Sequence, residues 1–89
     1  MAALDLLGRR WSLRVIWELR DGAIGFREMQ ARCGGMSPSV LSTRLKELET
    51  AKIIESDDDR RWRLTPLGLD LIKAFGPLHT WAGRWAEEF

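Results

Sequence analysis

The sequence predicts a mainly α fold with a small β-hairpin, in the α+β class. Apolar residues recur at three- and four-residue spacing over most of the chain, as they do on one face of a helix. The pairs Ser37-Pro38 and Thr65-Pro66 each have the form of a helix start, with an N-cap hydroxyl before a proline. Between these starts, two short apolar runs flank the polar segment SDDDR, which favours a hairpin.

Length and composition limit the class of protein. With 89 residues, the chain allows one domain, residues 1–89, with a thin hydrophobic core. It has no apolar run long enough to span a bilayer and no secretory signal, so we expect a cytoplasmic protein without a membrane partner. The net charge of +1 does not indicate a nucleic-acid partner by itself, but most arginines lie in the first half, where a local basic face can form.

The first quarter of the chain predicts two helices. Three leucines within residues 4–7 indicate a short opening helix that ends near Gly8. The mainly apolar run SLRVIWELR, at residues 12–20, indicates a second helix near the centre of the fold. Asp21-Gly22 is a strong turn signal and ends this helix.

The next segment predicts a second pair of short elements. Residues 24–26 are expected to form a very short extended piece. Residues 26–33 have their apolar side chains at helical spacing and predict a short helix. Gly34-Gly35 ends this helix, and Ser37 then caps the next one, which is expected to continue to about Thr50.

The second half predicts a hairpin and two further helices. Residues 53–54 and 62–64 indicate two short strands around the SDDDR turn. The helix that follows is expected to run to about Phe75, where Gly76-Pro77 interrupts it. The remainder of the chain then forms a last amphipathic helix.

The helix after Ser37 has two different faces. Its leucines cluster on one side. The opposite arc holds short hydroxyls and one cation, namely Ser39, Thr43, Lys46 and Thr50. Solvated helix faces usually carry stronger helix formers, so another requirement is expected to select serine and threonine here. Binding in the major groove of DNA would be such a requirement. The groove admits a helix, and short hydroxyl side chains allow close approach to bases and phosphates. The alternative is an ordinary surface helix on which these residues occur by chance.

The order of elements supports the DNA-binding interpretation. A short helix, a glycine turn and this hydroxyl-lined helix form a helix-turn-helix, whose second helix reads the groove. The hairpin that follows immediately converts the arrangement into a winged helix-turn-helix.

Three segments then resemble one protein family, the HxlR-type transcriptional regulators, which are winged helix-turn-helix proteins related to the MarR group. LDLLGRRWSLRVIWELRDGAIGFREMQ resembles the family's opening pattern, MSPSVLSTRLKELETAKII its reading helix and the strand after it, and WRLTPLGLDL the segment after its wing. The resemblance implies a three-helix core with a wing and terminal dimerisation helices. It also implies a homodimeric regulator that binds a pseudo-palindromic operator in double-stranded DNA.

The resemblance also places individual side chains. Arg10 falls at the cation before the tryptophan, where it implies a phosphate contact, and Arg60 and Arg61 fall on the wing. The predicted DNA-binding residues are Arg10, Arg27, Ser37, Ser39, Val40, Ser42, Thr43, Arg44, Lys46, Arg60 and Arg61.

The last helix predicts a dimer interface. Trp81 and Trp85 lie four residues apart, and an interface would remove the cost of exposing two indoles to water. The predicted interface residues are Leu4, Leu7, Leu78, Trp81, Trp85 and Phe89. The alternative is an aromatic pocket for a flat ligand, which would make the protein a ligand-responsive sensor.

Departures from the family pattern keep other functions open. The acidic wing tip, residues 57–59, would repel phosphate, and it favours a winged helix that only makes protein–protein contacts. The family's cysteine near the N-terminus is absent; Cys33 is either a redox switch or a packed, inert thiol. His79 has no cluster of metal ligands around it, and no nucleophile has a base and an orienting partner, so we expect no metal, no cofactor and no enzymatic activity.

Overall fold

A computed structural model describes residues 2–89 as five helices and a two-stranded antiparallel sheet. The elements, in chain order, are α1 Ala2–Leu7, α2 Ser12–Glu18, α3 Phe26–Arg32, α4 Pro38–Thr50, β1 Ile54–Ser56, β2 Trp62–Leu64 and α5 Pro66–Ala86. The predicted α+β class and the order helix, hairpin, helix are therefore confirmed. None of the helices within residues 2–89 combines the length and the apolar character needed to cross a membrane.

The hydrophobic core forms where α2, α3 and α4 meet above the sheet. Val15 and Ile16 of α2 are fully buried and contact neighbouring apolar side chains from the other helices. The three leucines of α4 predicted to face inward are buried, namely Leu41, Leu45 and Leu48. Ile54 and Leu64 close the core from the hairpin. The core therefore holds α4 by its leucine face, while Ser39, Thr43 and Lys46 on the opposite face remain exposed.

Both predicted helix starts, Ser37-Pro38 and Thr65-Pro66, are confirmed, and the hydroxyl of each pair caps its helix. The Ser37 hydroxyl accepts a hydrogen bond from the Val40 N–H at 3.2 Å, at the first turn of α4. The Thr65 hydroxyl accepts from the Gly68 N–H at 3.1 Å and donates to the Lys52 carbonyl at 2.6 Å. Thr65 therefore caps α5 and also ties its start to the turn between α4 and β1.

The wing is a tight hairpin with one additional bridge. The strands pair Ile54 with Leu64 and Ser56 with Trp62. Trp62 also exchanges two backbone hydrogen bonds with Ile24, at 2.8 and 2.9 Å. An extended piece was expected at residues 24–26, and only Ile24 of these residues pairs with a strand. This pairing connects the base of the wing to the segment between α2 and α3.

The predicted interruption of the last helix at Gly76-Pro77 is wrong, because α5 runs unbroken through both residues. Proline normally clashes with the Cβ of the preceding residue in a helix, and Gly76 has no Cβ. Trp17 also holds the two halves of α5 in line. Its ring stacks on Phe75 before the proline, at 6.2 Å between centroids, and on His79 after it, at 6.0 Å.

Candidate nucleic-acid interface

The outer face of α4 is exposed along its length. Ser39, Thr43 and Lys46 lie in solvent, opposite the buried leucines, and Val40 is half-buried beside them. The turn at residues 33–37 joins α3 to α4 and includes Gly35 at a φ of 89°, a conformation that favours glycine. Residues 26–50 therefore form the predicted helix-turn-helix, with α4 as its second helix.

Hydrogen bonds organise the hydroxyls on this face. The Ser37 and Ser39 oxygens lie 3.3 Å apart at the helix start. The Thr43 hydroxyl donates to the Ser39 carbonyl at 3.0 Å, one turn earlier. This bond uses the Thr43 proton, so its oxygen can still accept a hydrogen bond and its methyl can contact an apolar group. Ser42 is also exposed, towards the side of α4.

Arg44 differs from the other predicted DNA-binding residues because its guanidinium has protein partners. Its Nε donates to the Arg10 carbonyl at 2.7 Å, and its Nη1 pairs with Glu47. The side chain is only 18% exposed. These contacts join α4 to the α1–α2 turn and occupy the Arg44 guanidinium, and a contact of Arg44 with phosphate stays a prediction.

Glu47 and Arg9 complete this connection, and the sequence interpretation assigned a role to neither. Arg9 Nε lies 2.9 Å from Glu47 Oε2. The Arg44–Glu47 spacing of one helical turn is visible in the sequence. The Arg9–Glu47 ion pair cannot be recognised from the sequence spacing, because the two residues meet only through the packing of the α1–α2 turn against α4.

The predicted cations fall into two groups. Arg10, Arg27 and Lys46 are exposed near the helix-turn-helix, and the Arg10 guanidinium lies 5.5 Å from the centre of the Trp11 ring. Within residues 2–89, none of these three has a carboxylate within 4 Å, whereas Arg44 does. Their charge is therefore available for phosphate groups.

The wing presents a mixed charge at its tip. Arg61 pairs with Asp57 at 3.4 Å and Asp59 at 3.7 Å, whereas Arg60 has no carboxylate within 4 Å in the described part of the chain. The Arg61 and Asp59 N–H groups both donate to Asp57 Oδ1 at 2.9 Å. These backbone hydrogen bonds, first that from Arg61, lower the pKa of the Asp57 carboxyl below its usual value. Among residues 2–89, Arg60 and Asp58 are thus the wing-tip charges that have no oppositely charged side chain within 4 Å.

Cys33 is enclosed in the core. Its side chain is 1% exposed and its sulfur lies 3.9 Å from the Met29 sulfur. Burial raises the pKa of the thiol, and the nearby Arg14 guanidinium opposes this effect only partly. Both features agree with the packed, inert interpretation, since a reactive cysteine needs exposure and a lowered pKa.

The residues predicted for a dimer interface lie on a second surface. Leu78, Trp81 and Trp85 of α5 are each about half exposed, and Phe89 is almost fully exposed. Trp81 stacks on Trp85 at 6.0 Å, and Trp85 meets Phe89 edge-on at 5.2 Å. Leu4 is exposed on α1, whereas Leu7 packs partly against the core. Beside the two tryptophans is an open groove rather than an enclosed pocket for a flat ligand.

A helix-turn-helix with an exposed second helix, followed directly by a two-stranded wing, defines a winged helix-turn-helix protein. The comparison with known families agrees. Residues 6–89 match the model of the HxlR-like helix-turn-helix family, and the chain belongs to this family.

Similar proteins support the assignment over nearly the full chain. The uncharacterized HTH-type transcriptional regulator YvaP of Bacillus subtilis (strain 168) is 32% identical over 91 residues, which cover 96% of this chain and 84% of YvaP. The quinone-bound structure of YodB from B. subtilis has a TM-score of 0.87 at 35% identity, covering 93% of this chain and 92% of that chain. A MarR-family regulator from Enterococcus faecalis V583 has a TM-score of 0.86 at 26% identity, covering 98% and 84%. The protein is a transcriptional regulator of the HxlR helix-turn-helix type.

Proposed function

We propose that this regulator binds a pseudo-palindromic operator as a homodimer in the cytoplasm and so represses or activates transcription. The observation that carries the proposal is the division of α4, with Leu41, Leu45 and Leu48 buried and Ser39, Thr43 and Lys46 exposed on the opposite face. A helix built in this way can enter the major groove without any change in the core. We propose that residues 1–89 form a single DNA-binding domain.

The contacts divide into base readout and phosphate binding. Ser39 and the Thr43 oxygen suit polar groups at base edges, and Val40 or the Thr43 methyl suits the methyl of thymine. The phosphate contacts come from Arg10, Arg27, Lys46 and Arg60, which have no carboxylate within 4 Å among residues 2–89. Arg44 orients α4 through its bonds to Arg10 and Glu47, and Arg61 stabilises the wing turn.

A two-fold dimer accounts for the exposed apolar side chains of the terminal helices. It would place two copies of α4 one turn of DNA apart, about 34–36 Å, and so require a two-fold related operator. The half-exposed tryptophans of α5 support this part of the proposal, because tryptophan is enriched where protein surfaces meet.

Selection from a pool of random duplex DNA at low salt tests the proposal. We expect recovery of one inverted-repeat sequence, with affinity falling steeply as salt rises, by a log–log slope of roughly −0.9 per phosphate contacted. Lys46→Ala should weaken binding to all duplexes and reduce this slope by about one, whereas Ser39→Ala and Thr43→Ala should change the preferred bases. Lys73→Ala, an exposed lysine on α5, is the matched control. If Lys46→Ala and Thr43→Ala both left operator binding unchanged, α4 would not be the reading helix.

The acidic wing favours one other function, a winged helix that only makes protein–protein contacts. Three carboxylates, residues 57–59, accompany two guanidiniums, Arg60 and Arg61, at the tip. The same selection distinguishes the two functions. Failure of micromolar protein to retain any duplex at low salt would favour the protein–protein function.

A further inference from the structure

The C-terminal end of α3 is held by a side chain from another helix. Arg14 of α2 donates from Nη2 to the backbone carbonyl of Arg32, the last residue of α3, at 3.0 Å. The same Nη2 lies 3.2 Å from Glu18 Oε1, one turn further along α2. The Glu18 side chain is only 12% exposed, so this ion pair is partly shielded from water and orients the guanidinium. We call Arg14, Glu18 and the Arg32 carbonyl the α2–α3 clasp.

The clasp satisfies an acceptor that α3 cannot satisfy itself, because the last carbonyls of a helix have no partner inside it. Where α3 ends, the Met29 carbonyl accepts from the Cys33 N–H at 3.0 Å, and the Cys33 carbonyl accepts from the Met36 N–H at 3.2 Å. The Arg32 carbonyl receives its hydrogen bond from Arg14 instead. A guanidinium is also favourable at this place because the C-terminal end of a helix carries partial negative charge.

Few apolar contacts fix α3 and the turn that follows it. Met29 is the only residue within α3 that is buried. The turn contains Gly34 and Gly35, where an added Cβ would meet no atom within 4 Å beyond the chain neighbours. Two adjacent glycines without packing contacts leave the backbone conformationally free. The turn is therefore fixed from its ends, by the clasp and the buried Cys33 on one side and by the buried Met36 on the other.

We propose that Arg14 is a positioning residue for DNA recognition, because the clasp sets the direction of α3 relative to α4. This inference rests on the proposed function, in which Arg27 of α3 contacts a phosphate while Ser39 and Thr43 of α4 read base edges. Both sets of contacts form together only while the two helices keep one fixed separation. Phosphate contacts fix the register of a protein on the duplex, so a shift of α3 moves α4 away from the base edges. Random duplex makes no such demand, since it is bound through its charge.

Arg14→Gln tests this role on DNA. The substitution removes the charge and shortens the side chain, so the hydrogen bond to the Arg32 carbonyl is lost. We expect the ratio of operator affinity to random-duplex affinity to fall about three- to tenfold. Affinity for random duplex should change by less than about twofold, with the same salt dependence, because no phosphate contact is removed. Arg14→Lys keeps the charge on a differently shaped side chain and should restore part of the discrimination.

Arg20→Gln is the matched control. It removes the same charge just after α2, where the Arg20 guanidinium contacts the Trp17 carbonyl and Asp21, neither of which belongs to the helix-turn-helix. This variant should keep the discrimination of the wild type. Equal effects of Arg20→Gln and Arg14→Gln would overturn the proposal. A salt slope lowered by Arg14→Gln would also overturn it, since that result marks a phosphate contact made by Arg14 itself.

Glu18→Gln tests whether the clasp acts as one unit. Because Glu18 acts through Arg14, Glu18→Gln alone should lose part of the discrimination. The double variant with Arg14→Gln should then discriminate no worse than Arg14→Gln alone. Additive losses in the double variant would overturn the clasp.

Amide hydrogen exchange tests the positioning without DNA. In Arg14→Gln, exchange of the Met36 N–H, which closes the turn, should accelerate about tenfold, because the end of α3 is released. The N–H groups of Ile24 and Trp62, paired at the base of the wing, should keep their wild-type rates. Equal acceleration at all three amides would show a general loss of stability and overturn the local role.

The binding measurements separate this inference from the function on which it rests. A wild-type chain that retains no duplex at low salt would overturn the proposed function. A wild-type chain that discriminates operator from random duplex, with Arg14→Gln discriminating equally well, would overturn only the positioning role of Arg14.

Discussion

Arg9 Nε lies 2.9 Å from Glu47 Oε2, so a single carboxylate joins the α1–α2 turn to the proposed reading helix. The other oxygen of Glu47 pairs with Arg44, which in turn holds the Arg10 carbonyl. This turn contains Trp11 at a φ of 77°, a costly conformation for a bulky residue that persists only where its surroundings enforce it. Glu47 therefore fixes the position of Arg10 relative to the outer face of α4.

Glu47→Gln should reduce the discrimination between operator and random DNA without reducing affinity for random DNA. The amide keeps the size of the side chain but loses the charge that holds two guanidiniums, and this should also lower the free energy of unfolding by about 1 kcal/mol. Urea unfolding and binding to both duplexes are the measurements. Glu49→Gln makes the same change of charge on an exposed side of α4 and should leave discrimination intact. Equal effects of the two substitutions would show that charge alone is responsible.

Gly68→Ala should destabilise the fold strongly. A Cβ at this position would lie 2.3 Å from the Ile53 carbonyl oxygen, a backbone atom that cannot move aside easily. We expect the free energy of unfolding to fall by about 3 kcal/mol, as in other overpacked sites. Gly83→Ala lies in the same helix, but its added Cβ would meet no atom within 4 Å beyond its chain neighbours and the adjacent helix backbone, so it should instead stabilise by about 0.5–1 kcal/mol. A similar loss at both positions would contradict the close approach of α5 to residue 53.

Neutralising the wing tip should strengthen DNA binding if the wing lies near phosphates. Asp58→Asn with Asp59→Asn removes two negative charges and frees Arg61 from one of its two partners. We expect affinity for any duplex to rise about three- to tenfold at low salt and the gain to vanish as salt increases. Glu88→Gln, at the far end of α5, is the control. An unchanged affinity would mean that the wing does not approach DNA.

Asp57 should make stability depend on pH in the acidic range. Its pKa is lowered in the folded state from the usual 3.8 by backbone hydrogen bonds, so its stabilising contribution is present above that value. The contribution is lost as pH falls through the lower pKa of the folded state. Thermal unfolding should therefore show a difference between wild type and Asp57→Asn that is largest near neutral pH and shrinks in acid. A difference of the same size in acid and at neutral pH would show that the hydrogen bonds to the Asp57 carboxylate are not the cause.

Oxidants should leave DNA affinity unchanged. Cys33 is buried, and its raised pKa leaves little thiolate at neutral pH. A thiol reagent should react with the folded protein far more slowly than with the protein in denaturant. Operator binding before and after treatment with diamide is the functional measurement, with Cys33→Ser as the control. An oxidant effect that Cys33→Ser abolishes would establish a redox sensor instead.

The elements that could be predicted from the sequence depend on local signals. Ser37 and Thr65 predict the starts of α4 and α5 because a capping hydroxyl bonds to a backbone N–H within one turn of its own position. Leu41, Leu45 and Leu48 identify the inner face of α4 because helical spacing alone sets which side they share. These local features locate the proposed reading helix, and the structure keeps its outer face exposed.

The features that could not be predicted depend on distant contacts. Whether α5 continues through Pro77 depends on Trp17, more than fifty residues earlier, which stacks on both sides of the proline. With the helix divided at that point, the sequence could not show that Leu67 and Leu71 lie on the same helix as Trp85. The hydrogen bond from Arg44 to the Arg10 carbonyl could not be predicted for a similar reason, since Arg10 lies outside α4 and 34 residues earlier.

The separation of α4 into a buried side and an outward side has a practical consequence for engineering. Stability depends on the three leucines and on the half-buried Val40, whereas the exposed positions 39, 42 and 43 are expected to tolerate randomisation in a library with little effect on folding. Under the proposed function, such a library would change the operator that the regulator recognises, while the capping hydroxyl of Ser37 and the contacts of Arg44 with Arg10 and Glu47 stay unchanged.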